Sequence, residues 1–303
     1  MSFLNRIWVY QAERFPLKKT VPLLLVFSAA SICVSARLAD RPLPEWPAFV
    51  VGFVLAMALF FQMRVCDEFK DAEDDRRYRP DRPIPRGLIS PGEVLSLGVL
   101  TVPLAIAAAW FWDAKVLWLL AGVWIWLAAM TAEFGAPDWL KARPVLYLLS
   151  HMAIMPLIDL LLTGIEWLPS GGAASNLWLF LALSFVNGCV LEIGRKLWAP
   201  ENEIAGVDTY SGLWGPSRAI RIWLGVILMS FALLVGTGIA TGTGWITALV
   251  GMLALIPCGL AANGYHASPT PKAQGRMDTV SGLWVFFCYA TAGFLPYLIG
   301  AFA

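Results

Sequence analysis

Residues 46–87 read WPAFVVGFVLAMALFFQMRVCDEFKDAEDDRRYRPDRPIPRG. The first part, 46–65, is an apolar run of about 20 residues, long enough to cross a hydrocarbon core as a helix. Beyond Arg64 the character changes abruptly to aspartate, glutamate, lysine and arginine, so a helix leaving a membrane here enters water carrying a dense cluster of charge. The apolar pattern recurs along the chain. Spans are predicted at 20–37, 46–65, 94–112, 116–132, 144–163, 176–194, 219–239, 244–262 and 283–302. Composition agrees: the 303 residues are 58% hydrophobic and 14% charged, with a mean hydropathy of +0.67. A soluble domain carries about a quarter charged residues, so the surplus apolar surface must face lipid. The expectation is an all-α, polytopic integral membrane protein, one domain over 1–303, with nine transmembrane helices.

Residues 3–16 mix Trp8, Tyr10 and Phe15 with Arg6, Glu13 and Arg14. That mixture predicts a helix lying in the membrane interface within the N-terminal segment 1–19. No cleavable signal peptide is expected, because the first residues are polar and basic without a small-residue cleavage site. Cys33, Cys66, Cys189, Cys258 and Cys288 have no CxxC spacing and read as small packing residues.

Net charge is only +1, and no nucleic-acid partner is expected. The distribution of charge is more informative. Of the 22 lysines and arginines, all but Arg37, Arg41 and Lys115 fall on the side that holds the N-terminus and the 64–86 loop. By the positive-inside rule that side is cytoplasmic. Most acidic residues share it; only Asp40, Glu45, Asp113 and Glu166 lie opposite. Topology requires lysine and arginine inside but not aspartate, so carboxylates and cations concentrated together need a chemical reason.

Asp67, Asp71 and Asp75 are spaced i, i+4, i+8. On a continuing helix successive members turn by only about 40° and stack on one face. Carboxylates so arranged repel one another unless a cation sits between them. Mg²⁺, which keeps waters and takes further ligands from substrate phosphates, suits hard oxygen donors in this pattern. Downstream arginines, Arg82 among them, have the forked geometry that grips phosphate oxygens. Pro83, Pro85 and Gly87 end the helix in a turn.

At these residues the chain resembles the UbiA superfamily of intramembrane prenyltransferases. The family signature NxxxDxxxD followed by RPxPxG is matched by Asp67-x3-Asp71-x3-Asp75 and Arg82-Pro-Ile-Pro-Arg-Gly87, with Asp67 where asparagine is usual. The resemblance implies a helical bundle around a central cavity open to lipid, Mg²⁺ as cofactor, and ionisation of a prenyl diphosphate. A second motif is expected after the sixth span. There the family has DxxxD, whereas this chain has Glu192, Arg195, Lys196, Glu201, Asn202 and Glu203, broken by Pro200. Leu140-Lys141 is similar to a short family segment whose lysine approaches the diphosphate. The metal ligands expected are thus Asp67, Asp71, Asp75, Glu192, Glu201 and Glu203, with Asp71 and Asp75 catalytic. Lys70, Arg82, Lys141, Arg195 and Lys196 are expected on the diphosphate.

Ionisable residues at membrane depth face a cavity or a partner. His151 and Asp159, eight apart and so on roughly one face, either line the cavity or bond between helices; in the first case Asp159 would be a base or electrostatic stabiliser. Asp208-Thr-Tyr-Ser-Gly-Leu-Trp214 echoes Asp278-Thr-Val-Ser-Gly-Leu-Trp284 and reads as a repeated device for starting a helix.

The function expected is Mg²⁺-dependent transfer of a prenyl group to a hydrophobic acceptor, aromatic or lipid-like, in contact with membrane lipid. The alternatives are a terpene cyclase acting on the diphosphate alone, or a non-catalytic lipid-binding protein or transporter. A transporter would place charge near mid-membrane, whereas here it gathers in the loops.

Overall fold

The computed structural model describes residues 1–300, and it is helical throughout. In chain order the helices are α1 (Phe3–Arg14), α2 (Leu17–Leu38), α3 (Trp46–Lys70), α4 (Ala72–Tyr78), α5 (Pro91–Trp112), α6 (Val116–Thr131) and α7 (Pro137–Lys141). They continue with α8 (Pro144–Met152), α9 (Ile154–Trp167), α10 (Leu177–Arg195), α11 (Tyr210–Trp214), α12 (Pro216–Ala240), α13 (Gly244–Ala267) and α14 (Pro271–Gly300).

All nine predicted spans appear as helices, and eight are long and apolar enough to cross a membrane. The exception is α6, whose 16 residues reach only about 24 Å. The fifth span divides at Ala153 into α8 and α9. Pro156 supplies the reason: it has no N–H, and its ring crowds the carbonyl four residues back, at Met152, where α8 ends. The last helix begins earlier than the predicted 283, at Pro271, and predicted positions 301–302 lie outside the described residues.

Helix starts follow local chemistry. Ser90 and Glu93 form a reciprocal capping box at α5, and Ser2 caps α1 by accepting from the Asn5 amide at 3.3 Å. The outer surface is apolar. Trp46, Trp110, Phe111, Trp118, Trp178 and Trp245 are all more than half exposed. They sit where α3, α5, α6, α10 and α13 begin or end at the sparsely charged end of the bundle. That ring is an aromatic belt at the membrane interface. One contiguous apolar core joins α2, α3, α5, α6, α8–α10 and α12–α14. Where α14 crosses α2, a Cβ on Gly293 would lie 2.5 Å from the Ala30 Cα, so only glycine lets these backbones approach.

Two polar knots hold the bundle. Asp159 is fully buried, accepting from Ser31 Oγ at 2.6 Å and Tyr289 Oη at 2.5 Å. With its one proton on Asp159, Tyr289 Oη is free to accept from the Ser184 hydroxyl, 3.1 Å away. Asp159 thus ties α9 to α2 and α14, the inter-helix role rather than a place on the wall of the cavity described below. At the sparsely charged end Arg41 donates to both Glu166 oxygens, at 2.7 and 3.0 Å, and Ser35 Oγ adds a bond at 2.6 Å. The charged segments collect at the opposite end, where α1 lies as a short amphipathic helix. It exposes Leu4 and Trp8 and buries Tyr10.

Candidate functional site

A cavity of about 850 Å³ opens at the charged end and runs inward between α2, α3, α8, α9 and α10. Its inner wall is apolar: Leu24, Phe60, Met63, Leu148, Met152, Met155 and Leu191. Its rim is polar. Asp67, Lys70, Asp71 and Asp74 come from the end of α3 and the start of α4, and Arg79 and Arg82 from the segment beyond. Glu133 and Lys141 flank α7, Tyr147 and His151 stand on α8, Glu192, Arg195 and Lys196 end α10, and Asp208 and Tyr210 precede or open α11.

The aspartate series does not continue on one face. Helix α3 ends at Lys70, and Asp71 (φ −92°, ψ 9°) turns the chain into α4. Asp67 and Asp71 reach the cavity, but Asp75 is carried past it. Its carboxylate is buried against Arg82 Nη1 at 2.6 Å, Arg79 Nη1 at 3.1 Å and Arg14 Nη2 at 3.9 Å. The expectation that Asp75 joins its neighbours as a ligand is therefore not met, and Asp74 faces the cavity in its place. The Arg82–Gly87 turn folds as predicted, with Gly87 at φ +77° and the Gly87 amide bonded to the Ile84 carbonyl at 3.0 Å. It aims Arg82 back at Asp75 while leaving it on the cavity wall. Arg86 anchors the turn to α1 through Glu13 at 2.8 Å, and this bond holds the Glu13 carboxyl below its usual range.

The second cluster contributes less than its sequence promises. Glu192 is buried and held by Arg195 and by Lys196 Nζ at 3.0 Å. Glu201 lies in the exposed 3₁₀ turn Pro200–Asn202, outside the cavity lining. Glu203 is consumed by Thr209 Oγ1 at 2.6 Å and Ser211 Oγ at 2.7 Å, which fold the loop after Pro200 back onto α11. Neither stands where a metal ligand was expected. Burial, with negative Glu192 nearby, pushes the Tyr210 phenol well above its ordinary range, so it faces the cavity as a neutral hydroxyl.

Glu133 was not anticipated. Glu133, Phe134 and Gly135 have φ of 49°, 52° and 72°, a left-handed turn that non-glycine residues adopt at a cost of about 1–3 kcal/mol each. The turn buries Glu133 on the cavity wall, where Oε1 receives Lys70 Nζ at 3.2 Å and Tyr147 Oη at 3.2 Å. Oε2 has no hydrogen-bond partner. Lys70 also reaches Tyr147 Oη at 2.5 Å and His151 Nε2 at 3.0 Å, and the Tyr147 and His151 rings stack at 4.0 Å. His151 Nδ1 lies 2.9 Å from the Tyr147 carbonyl. A carbonyl can only accept, so Nδ1 carries the proton and Nε2 accepts from Lys70. Lys70 is thus fully engaged within this group rather than free for a phosphate. Lys141, which ends α7, lies on the rim.

Among the described residues no three carboxylate, histidine or cysteine side chains converge as a ready metal cage. Mg²⁺ needs no such cage: one or two carboxylates suffice when waters and substrate phosphates complete its shell. Asp71 and Asp74 line the cavity without an ion-pair partner, and Asp67 has only Arg64, at 3.4 Å. This donor set fits the ion.

The profile of a family described as the UbiA prenyltransferase family matches residues 24–289. Among curated proteins no sequence matches. Among solved structures, the chain is similar to the apo form of a UbiA homolog from Aeropyrum pernix K1, with a TM-score of 0.69 and 16% identity over 91% of this chain and 98% of that one. It is also similar to a digeranylgeranylglyceryl phosphate synthase, with a TM-score of 0.58 and 14% identity over 95% of this chain and 99% of that one.

Proposed function

Since the chain belongs to the UbiA prenyltransferase family, we propose that it transfers a prenyl group from a prenyl diphosphate to a hydrophobic acceptor, with Mg²⁺ as cofactor and the charged end in the cytoplasm. One observation carries the reading. A single cavity joins unpaired carboxylates and several cations at its mouth to an apolar wall at membrane depth. That is the polarity of an isoprenoid diphosphate, whose head is anionic and whose tail is hydrocarbon.

In this reading Asp67, Asp71 and Asp74 hold Mg²⁺. The ion, when bound, supplies positive charge that stabilises the departing diphosphate, worth several kcal/mol of barrier. Arg195, Lys196, Lys141 and Arg82 donate charge-assisted hydrogen bonds to the diphosphate oxygens, and Tyr210 adds a neutral donor. Phe60, Leu148 and Met155 receive the prenyl chain and keep water from the reacting carbon, and the Phe60 ring offers a face to an allylic cation. Lys70 is held in the Glu133–Tyr147–His151 group and orients that wall. Of the similar structures, one bears the name of an enzyme that makes a lipid, which favours a lipid-like acceptor here.

The test is mass spectrometry of products from the purified protein, Mg²⁺ and a panel of prenyl diphosphates, with and without phenolic and glycerolipid acceptors. A prenylated acceptor supports the proposal. A cyclic hydrocarbon formed from the diphosphate alone would assign a terpene cyclase instead, and no conversion of any diphosphate would refute both.

A further inference from the structure

The two sides of the cavity mouth differ in charge. On the α3 side stand three carboxylates, Asp67, Asp71 and Asp74, of which only Asp67 has a close cation, Arg64 at 3.4 Å. Arg79 and Arg82 on the same wall are directed at Asp75 instead. On the α10 side the arrangement is reversed. Arg195 and Lys196 follow Glu192 by three and four residues, so the helix sets both on its face. Each takes one of its oxygens: Arg195 bonds Oε2, and Lys196 Nζ lies 3.0 Å from Oε1. Both Glu192 oxygens therefore already carry a cation, and the helix end has a surplus positive charge. Counting Asp208, the exposed loop carboxylate on this side, still does not make it negative. A divalent cation placed at Glu192 would meet the repulsion of two cations already held on a buried carboxylate.

We infer that the site holds one divalent cation, on the α3 side alone, and that the other face of the diphosphate rests directly on Arg195 and Lys196 with no metal at Glu192. The inference deepens the reading of this cavity as a prenyl diphosphate site and rests on it. Glu192 then acts as a positioning residue: it fixes two flexible cations at the spacing the diphosphate meets.

The experiment counts bound Mn²⁺, a spectroscopic substitute for Mg²⁺, by electron paramagnetic resonance. The purified protein is titrated in the presence of geranyl S-thiolodiphosphate, whose carbon–sulfur bond resists ionisation. Calorimetry follows the analogue itself. One Mn²⁺ per chain is expected for the wild type. Asp71→Asn should lose that ion, and Glu192→Gln should keep it. Lys196→Asp, which turns a cation into a carboxylate beside Glu192, should raise the count to two. Arg195→Ala should weaken the analogue about 10- to 100-fold, the loss of a charge-assisted hydrogen bond, without changing the count. Two ions in the wild type, loss of the ion in Glu192→Gln, or tight analogue binding with no ion would each overturn the inference. Failure of the wild type to bind the analogue at all would instead remove the reading beneath it. The wild-type count decides even if a variant does not fold.

Discussion

Asp71 and Asp75 are the same side chain one helical turn apart, yet their surroundings oppose each other. Asp71 faces a cavity with no ion-pair partner, whereas Asp75 is buried among Arg14, Arg79 and Arg82. Different outcomes follow on substitution. Asp71→Ala removes a carboxylate proposed to hold Mg²⁺ and should lower turnover about a thousandfold, equivalent to roughly 4 kcal/mol of barrier, with little change in melting temperature. Asp75→Ala leaves Arg79 and Arg82 without their counter-charge, while Arg14 keeps Glu68 at 2.6 Å. Breaking a buried ion pair in this way costs about 3–5 kcal/mol, so thermal melting in detergent should fall sharply. Any loss of activity per folded molecule should appear as weaker diphosphate binding through Arg82. At mid-membrane, Tyr289→Phe takes one of two hydroxyl donors from Asp159. It should cost about 1–3 kcal/mol of stability and leave kcat within a few-fold of wild type; a collapse of kcat without loss of stability would return Asp159 to the chemistry. The spacing of the aspartates is visible in sequence, but the end of α3 at Lys70 is not, and that turn decides which of Asp74 and Asp75 faces the cavity. Glu133 was illegible for a related reason: its role depends on a left-handed turn that no glycine at 133 or 134 advertises.

At the scale of elements, apolar length located every span, because a lipid core demands about 20 apolar residues and tolerates little else. It did not show the division of the fifth span, although Pro156 marks it in retrospect. Nor did it show how helices pair, which depends on small residues whose partners are distant in sequence. Gly293 against Ala30 is the tightest such contact on the backbone. Gly293→Val would press its side chain into α2, and overpacking of this kind costs about 1–3 kcal/mol or more. Lower thermal stability of the purified variant should report it, and an unchanged melting temperature would show that α2 and α14 pack less closely than described. Glu201 and Glu203 were misplaced by the same limitation. Their loop folds onto α11 through Thr209 and Ser211, contacts that spacing after Pro200 does not encode.

For the whole molecule, charge gathers at one end of the bundle, while a ring of exposed aromatics marks the other, as a chain seated across lipid requires. The Arg41–Glu166 pair ties α9 to the α2–α3 connection at the sparsely charged end, while the cavity opens at the other. A cysteine placed at Lys115 should react with an impermeant maleimide added outside intact cells, and one at Ser2 should react only after permeabilisation; the reverse pattern would invert the proposed orientation. The central claim is that this cavity uses its unpaired carboxylates and a divalent ion to release diphosphate from an isoprenoid. It is tested most directly by measuring pyrophosphate released from prenyl diphosphates by the wild type and Asp71→Ala, side by side in lipid nanodiscs. The account predicts release that requires Mg²⁺, stops on chelation and falls about a thousandfold in the variant. Equal release by the two proteins, or release indifferent to chelation, would contradict it.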